Sequence, residues 1–497
     1  TFDISAGGNQ AIGALSGVAG SNLALGGNSL TLNGIGNASF DGVIAGTGGL
    51  IKSGSGTQTL DGANTFSGGV NLNAGGLIVG NNSALGSGVL DVTGAATLAS
   101  SGNITLGNGV TLGAGSGLAV QGAGALTLGG VISGAGGLTM SGSSTLTLSG
   151  ANTYAGGTNI LSGTLAIGAG GSLLSTGAVT LGGSGTFDIS ASGNQSIGSL
   201  AGTSGNVNLG GNALTLGGVG NADFGGVIAG TGSLVKLGAG TQTLDGANTF
   251  SGGVNLNAGG LIVGNNAALG TGVLTVGGAT TLDSSSAVTL GNNIVLNAGL
   301  TVLGTNALTL GGALSGIGSL TKDGNATLTL DGANTYTGNT FIDSGTLALG
   351  AGASLFGSGI VNLATGATFD LSAGNGTQTF GTLVGGGTVN LGANDLTLGS
   401  ATNGTFSGSI AGTGSLTKQG TGTETLTGSN TFTGGTIIDA GTLAIGAGGS
   451  LAANGAVTLS AAGTDFDISA GGNQAIGALN GVGGSNVTLG GNTLTLG

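Results

Sequence analysis

Residues Leu148 to Gly168 read LSGANTYAGGTNILSGTLAIG, and this stretch decides the fold. An apolar alternation ends at Gly150, and a turn built on Asn152 follows. After it come the pair Thr153 and Tyr154, a glycine turn, and two more short strands parted by Gly163. The same logic recurs at Leu60–Gly80 (LDGANTFSGGVNLNAGGLIVG), and Leu244–Gly264 is identical to that copy. It recurs again at Leu330–Gly350 (LDGANTYTGNTFIDSGTLALG) and Leu426–Gly446 (LTGSNTFTGGTIIDAGTLAIG). Three short strands joined by tight turns make about one coil of a β-solenoid, not a hairpin domain.

Outward from this motif a long period lies over a short one. FDIS or FDLS begins at Phe2, Phe187, Phe369 and Phe466, with spacings of 185, 182 and 97 residues. The turn asparagines Asn64, Asn152, Asn248, Asn334 and Asn430 are 88, 96, 86 and 96 residues apart. The long unit is therefore two related half-units, with boundaries near 2–186, 187–368, 369–465 and a partial 466–497. The third is a single half, as tandem duplication followed by loss of one half leaves it. Between the motifs the strands alternate with period two, rich in Thr, Val, Ile and Leu, while Gly, Asn, Ser and Asp fill the turns. Proline is absent, as suits strands that hydrogen-bond to coils on both sides. The expected fold is all-β: a parallel β-helix (β-solenoid) over 1–497. At roughly 20 residues per coil this makes about 25 coils in one continuous rod, on the order of 120 Å long. FDISAGGNQAIGAL opens at Phe2 and returns at Phe466, so the chain reads as an excerpt of a longer array whose cut ends expose unpaired strand edges.

Composition narrows the function. The 497 residues include 122 Gly and no Pro, Cys, Trp or His; four Lys stand against 17 acids, for a net charge of −13. Disorder needs low hydrophobicity and dense charge, whereas 39% of these residues are hydrophobic and 4% are charged. Without Cys there are no disulfides or thiolate sites, and without His no Ser-His-Asp arrangement. Without Arg the usual anion clamp is missing, and the negative charge argues against a nucleic-acid partner. No apolar run is long enough for a transmembrane helix. The glycine-rich stretch at Gly54 lacks the Lys-Ser/Thr of a phosphate loop. We expect no enzyme activity, no cofactor, and no catalytic, cofactor-binding or metal residue.

The longer pattern around the motif is best seen at Leu416–Gly446, LTKQGTGTETLTGSNTFTGGTIIDAGTLAIG, with matching blocks from Leu50, Leu138, Leu234 and Leu320. It resembles the passenger-associated transport repeat of bacterial autotransporters, and the blocks cover about a third of the chain. The departures are Met140 where the other copies have Lys, and Gly76 and Gly260 where others have Thr. The resemblance implies a right-handed β-helical passenger of type V secretion, exported by a C-terminal β-barrel translocator outside this stretch. It implies a bacterial cell-surface (outer-membrane-anchored) or secreted location, and a structural or adhesive stalk in cell-surface adhesion or biofilm, through self-association or a cell-surface or matrix ligand. Two other readings stand beside it: a polysaccharide-acting surface enzyme on a β-helix, and an ice-binding solenoid.

Three sets of residues invite a closer look. Lys52, Lys236, Lys322 and Lys418 share one repeat position, two residues after Leu50, Leu234, Leu320 and Leu416. They should point inward, with the ammonium escaping to solvent or to a carboxylate such as Asp61, Asp245 or Asp331, so that Lys236→Met costs under about 1 kcal/mol. The turn asparagines are too far apart to form a ladder and should satisfy their own turns, by an Asx bond or left-handed backbone. Asp465 and Asp467 flank Phe466 at a spacing that suits either an inverting carboxylate pair or a calcium site, against the plainer reading of a solvated pair.

Overall fold

A computed structural model of the chain describes residues 1–355, 357 and 359–497. The described residues hold no helix; strands of two to six residues stack in parallel as a β-solenoid of about 25 turns. Accordingly, none of them forms a helix long and apolar enough to cross a membrane. The chain divides into two compact units, Thr1–Gly252 and Gly253–Gly497.

In the first unit each coil visits three faces. Leu50–Lys52 lies on one and Thr57–Leu60 on the next; Asn64 to Phe66 crosses the third, and Val70–Leu72 returns to the first. Leu30, Leu50 and Val70 therefore stack in register. The period-two pattern sets what is buried: in Thr145–Leu148, Leu146 and Leu148 face inward while Thr145 and Thr147 face out. Stacking makes the core a set of columns, one of which runs Leu126, Leu146, Leu165, Phe187, Val207 and Ile228. All six side chains are buried, and each contributes roughly 1.5–3 kcal/mol by leaving water. The second unit repeats the plan, for example in the column Leu308, Leu328, Leu347, Phe369 and Val389.

Glycine is dictated where a corner of one coil lies on the corner before it. A Cβ at Gly54 would come 2.1 Å from the Gly34 carbonyl oxygen. Gly163 combines φ +67° with a Cβ position 2.4 Å from the Gly142 oxygen, so both its conformation and its space exclude other residues.

The two periods in the sequence acquire a geometric meaning. In the first unit Thr57–Leu60 and Thr241–Leu244 share one face. Between them, strands at 75–79, 95–100, 117–121, 137–140, 158–160, 178–181, 199–201 and 222–224 follow one another on that face. The 184 residues between Thr57 and Thr241 thus make nine whole coils. The motif copy between them is turned by one face: its opening strand Gly137–Met140 lies where the other two copies place Thr57–Leu60 and Thr241–Leu244. In the second unit, likewise, Leu320–Lys322 lies on the face that carries Thr423–Leu426 five coils later. A half-unit is not a whole number of coils, whereas a pair of half-units is.

Candidate functional site

The lysine column lies inside the solenoid. Lys52, Lys236, Lys322 and Lys418 are all buried, Lys322 completely. Each ammonium donates to the carbonyl two residues on: Lys52 to Gly54, Lys236 to Gly238, Lys322 to Gly324 and Lys418 to Gly420. The next coil is reached as well, by Lys52 at Ala74 O and Lys418 at Ala440 O, both 3.3 Å, and by Lys322 at Ser344 O, 3.2 Å. Burial pulls all four ammonium groups below the usual lysine range; Asp323 beside Lys322 and Glu424 near Lys418 partly offset this. The inward direction read from period two is correct, but the expected escape to solvent or to the aspartate column is not what occurs. Asp61 instead accepts from Ser39 Oγ at 3.5 Å and lies over Gly80, and Asp331 lies over Gly350. Carbonyls at the corner, partial negative charges already fixed in place, hold the buried ammonium.

Met140 fills the same space without a charge, and the carbonyl that lysine would cap finds another donor. Ser162 Oγ donates to Gly142 O at 3.1 Å. The positions equivalent to Ser162 in the first and last copies are Ala74 and Ala440.

The turn asparagines also differ from expectation. No described non-glycine residue has positive φ, which excludes the left-handed turn. Their amides instead bridge coils. Asn64 Oδ1 accepts the Ile44 amide at 2.8 Å and Nδ2 donates to Ala84 O at 2.7 Å, twenty residues to either side. Asn152 does the same between Ile132 N (2.9 Å) and Ser172 O (3.0 Å), and adds Gly150 O at 2.8 Å. Asn334 and Asn430 repeat the arrangement, while Asn248 Oδ1 accepts from Ile228 N. Backbone pairing is sparse at this corner, with single bridges at Ala151 and Ser429 and a two-residue strand at Ala333–Asn334, and the side-chain amide adds a donor and an acceptor to it.

The aromatic residue after each asparagine is buried, and in four of the five copies its neighbour matches it; the exception is Phe432, which stands with Thr436. Tyr154 and Tyr336 bond Thr158 and Thr340 through their hydroxyls at 2.6 Å. Burial pushes the Tyr154 phenol up to about 12 and Tyr336 higher still, partly offset in each by the threonine hydroxyl. Where the aromatic is Phe66 or Phe250, the partner position holds Val70 or Val254.

A third polar device escaped the sequence reading. Gln58 Nε2 donates to Leu15 O at 3.0 Å, two coils back, and to Ala38 O and Thr59 O. Gln242 repeats this with Leu200 O at 2.9 Å, Ala222 O and Thr243 O. The equivalent residue of the last copy is Glu424. The signal was present: TQTL and TETL put a polar residue at an inward position of an apolar alternation, where TLTL has leucine.

The remaining carboxylates are engaged locally. Asp465 accepts from Thr488 Oγ1 at 3.1 Å on both oxygens, and Asp467 Oδ1 accepts the Ser469 amide at 2.8 Å. Among the described residues no three acids, His or Cys converge as a metal-ligand group.

These staples recur at one point of each copy, and a family model picks out the same places. It is that of the passenger-associated-transport-repeat, and it matches residues 50–79, 138–167, 234–263, 320–349 and 416–445. The chain carries five passenger-associated-transport repeats. No curated protein and no solved structure matches the chain. Each repeat opens on the lysine (or Met140) strand, contains the stapling asparagine and the buried aromatic, and closes on the strand that stacks over the Thr-x-Thr-Leu strand. The repeat thus spans about one and a half coils: Leu50 stacks on Val70 and Thr57 on Gly76 within it, while its asparagine reaches Ile44 and Ala84 beyond its two ends.

Proposed function

We propose that this chain forms part of the stalk of an autotransporter passenger: a non-enzymatic β-solenoid carried through the outer membrane by a C-terminal β-barrel, displayed on the cell surface or shed. The single observation that carries this reading is the set of five transport repeats built into parallel β-solenoid coils. The mechanism is geometric. Each finished coil offers an open strand edge, and the next coil gains its ladder bonds, apolar column and side-chain staples by docking there. Folding then propagates from coil to coil outside the membrane and opposes backsliding of the emerging chain. The finished solenoid carries adhesive surface away from the cell, through self-association or a matrix ligand. The test is to join the chain to a translocator β-barrel with a signal peptide and treat intact cells with protease. Surface cleavage, with cell aggregation or matrix attachment, supports the stalk; a chain protected inside the cell overturns it.

One observation favours a second reading. Thr327, Thr346, Thr368 and Thr388 stand in register on four adjacent coils, facing outward. Such a row, spaced ~4.8 Å, is one file of the threonine array that an ice-binding solenoid needs; the next outward file reads Thr329, Ala348, Asp370 and Asn390. Thermal hysteresis of the purified chain distinguishes it, and none is expected from a stalk.

A further inference from the structure

Glu424 is the only glutamate in the chain, and it is buried, 2% exposed. It occupies the place of Gln58 and Gln242, whose amides bind carbonyls across two coils. One carboxyl oxygen, Oε1, is enclosed and has no hydrogen-bond partner. Around it the strands Thr382–Gly385, Gly404–Phe406 and Thr442–Ile445 contribute no titratable side chain. The charged group acting on it is Lys418, whose ammonium is bound to the carbonyls of Gly420 and Ala440. Space has been adjusted as well: Gly404 stands where the glutamine copies have Ala38 and Ala222, and a Cβ there would come 2.4 Å from Glu424 Oε2.

We propose that Glu424 is held as the neutral acid in the folded chain and acts as a proton-dependent clamp between coils. Its carboxyl O–H does the work of the glutamine amide proton, and loss of that proton loosens the coils from Thr382 to Ile445. A neutral carboxylic acid has the donor and acceptor of an amide, whereas a carboxylate only accepts and must be desolvated. Burial lifts its pKa from 4.5 to about 8; the Lys418 ammonium and the Leu383 backbone amide pull the other way. The sign follows: an acid whose folded pKa is raised gives stability that is full below its unfolded pKa and falls as pH rises through the folded one. The window therefore runs from about 4.5 to about 8. Within it the local opening equilibrium should shift about tenfold per pH unit.

Because the chain holds one glutamate, ¹³C-glutamate labelling reports this carboxyl directly by isotope-edited infrared spectroscopy. The folded chain at pH 6 should show the band of a protonated carboxyl, replaced by the carboxylate band on titration through about pH 8. In parallel, amide hydrogen exchange of Leu383 and its neighbours is compared with that of Glu424→Gln at each pH. Protection should fall with pH in the native chain and stay level in the variant, apart from the intrinsic exchange rate that both share. A carboxylate band at pH 6, or the same loss of protection in both chains, overturns the proposal.

Discussion

Asn64 takes the amide proton of Ile44 from the coil before it and gives its own to the carbonyl of Ala84 in the coil after it. One side chain thus joins three successive coils at a corner where the backbone makes no sheet. Asn152, Asn334 and Asn430 do the same in their own repeats. Asn152→Ala leaves the buried Ile132 amide without its acceptor, while the Ser172 carbonyl keeps the backbone N–H of residue 152, and should cost about 1–3 kcal/mol. Amide exchange at Ile132 should accelerate accordingly, while exchange two coils away stays unchanged.

The lysine column leads to a coupled prediction. Lys52→Met alone strips the Gly54 carbonyl of its donor and should cost about 1–3 kcal/mol, more than an exposed lysine predicts. Adding Ala74→Ser recreates the Met140 and Ser162 pair, in which the hydroxyl takes over the carbonyl. The double variant should recover at least half of the loss, as read from urea denaturation in a double-mutant cycle.

The aromatic pairs predict a similar compensation. Tyr154→Phe leaves the Thr158 hydroxyl buried and unpaired and should cost about 1 kcal/mol. Adding Thr158→Val reproduces Phe66 with Val70 and should restore most of it. The native phenol also sets an alkaline limit. Its folded pKa is raised from 10.0 to about 12, so its stability is full below pH 10 and lost as pH climbs towards 12. Ultraviolet titration of the folded chain should show Tyr154 ionising about two pH units late.

Glycines at stacked corners and glycines in open turns should behave oppositely. Gly54→Ala drives a Cβ into the Gly34 carbonyl and forces the coils apart; thermal denaturation should show a loss of several degrees. Gly102 has no heavy atom within 4 Å of its added Cβ and does not have the left-handed φ. Gly102→Ala should be neutral or gain about 0.4–1 kcal/mol by reducing the freedom of the unfolded chain.

The residues disclose the direction of a side chain more readily than its partner. Period two put Lys52 on the same side as Leu50, and the structure agrees. Its partner was not legible, because the Ala74 oxygen is main chain and any residue at that position supplies one. The turn asparagines showed their importance by recurring, and local turn chemistry suggested partners within the turn. Their partners lie twenty residues away at Ile44 and Ala84, one coil to each side. Glu424 takes its meaning from the repeat position that it shares with Gln58 and Gln242.

Fold class, the repeat and its two periods can be read from the residues alone, because alternation and corner glycines are local properties that a chain displays residue by residue. Which atoms meet between coils is visible in the folded chain alone. It showed the ammonium held by carbonyls rather than by Asp61, and the asparagine amide tying its coil to both neighbours. It also showed that 184 residues close nine whole coils while half of that stops a face away. The physical reason is that these contacts depend on the number of residues per turn summed over many turns. A change of one or two residues per coil, invisible in any single motif, decides which side chain stands above which.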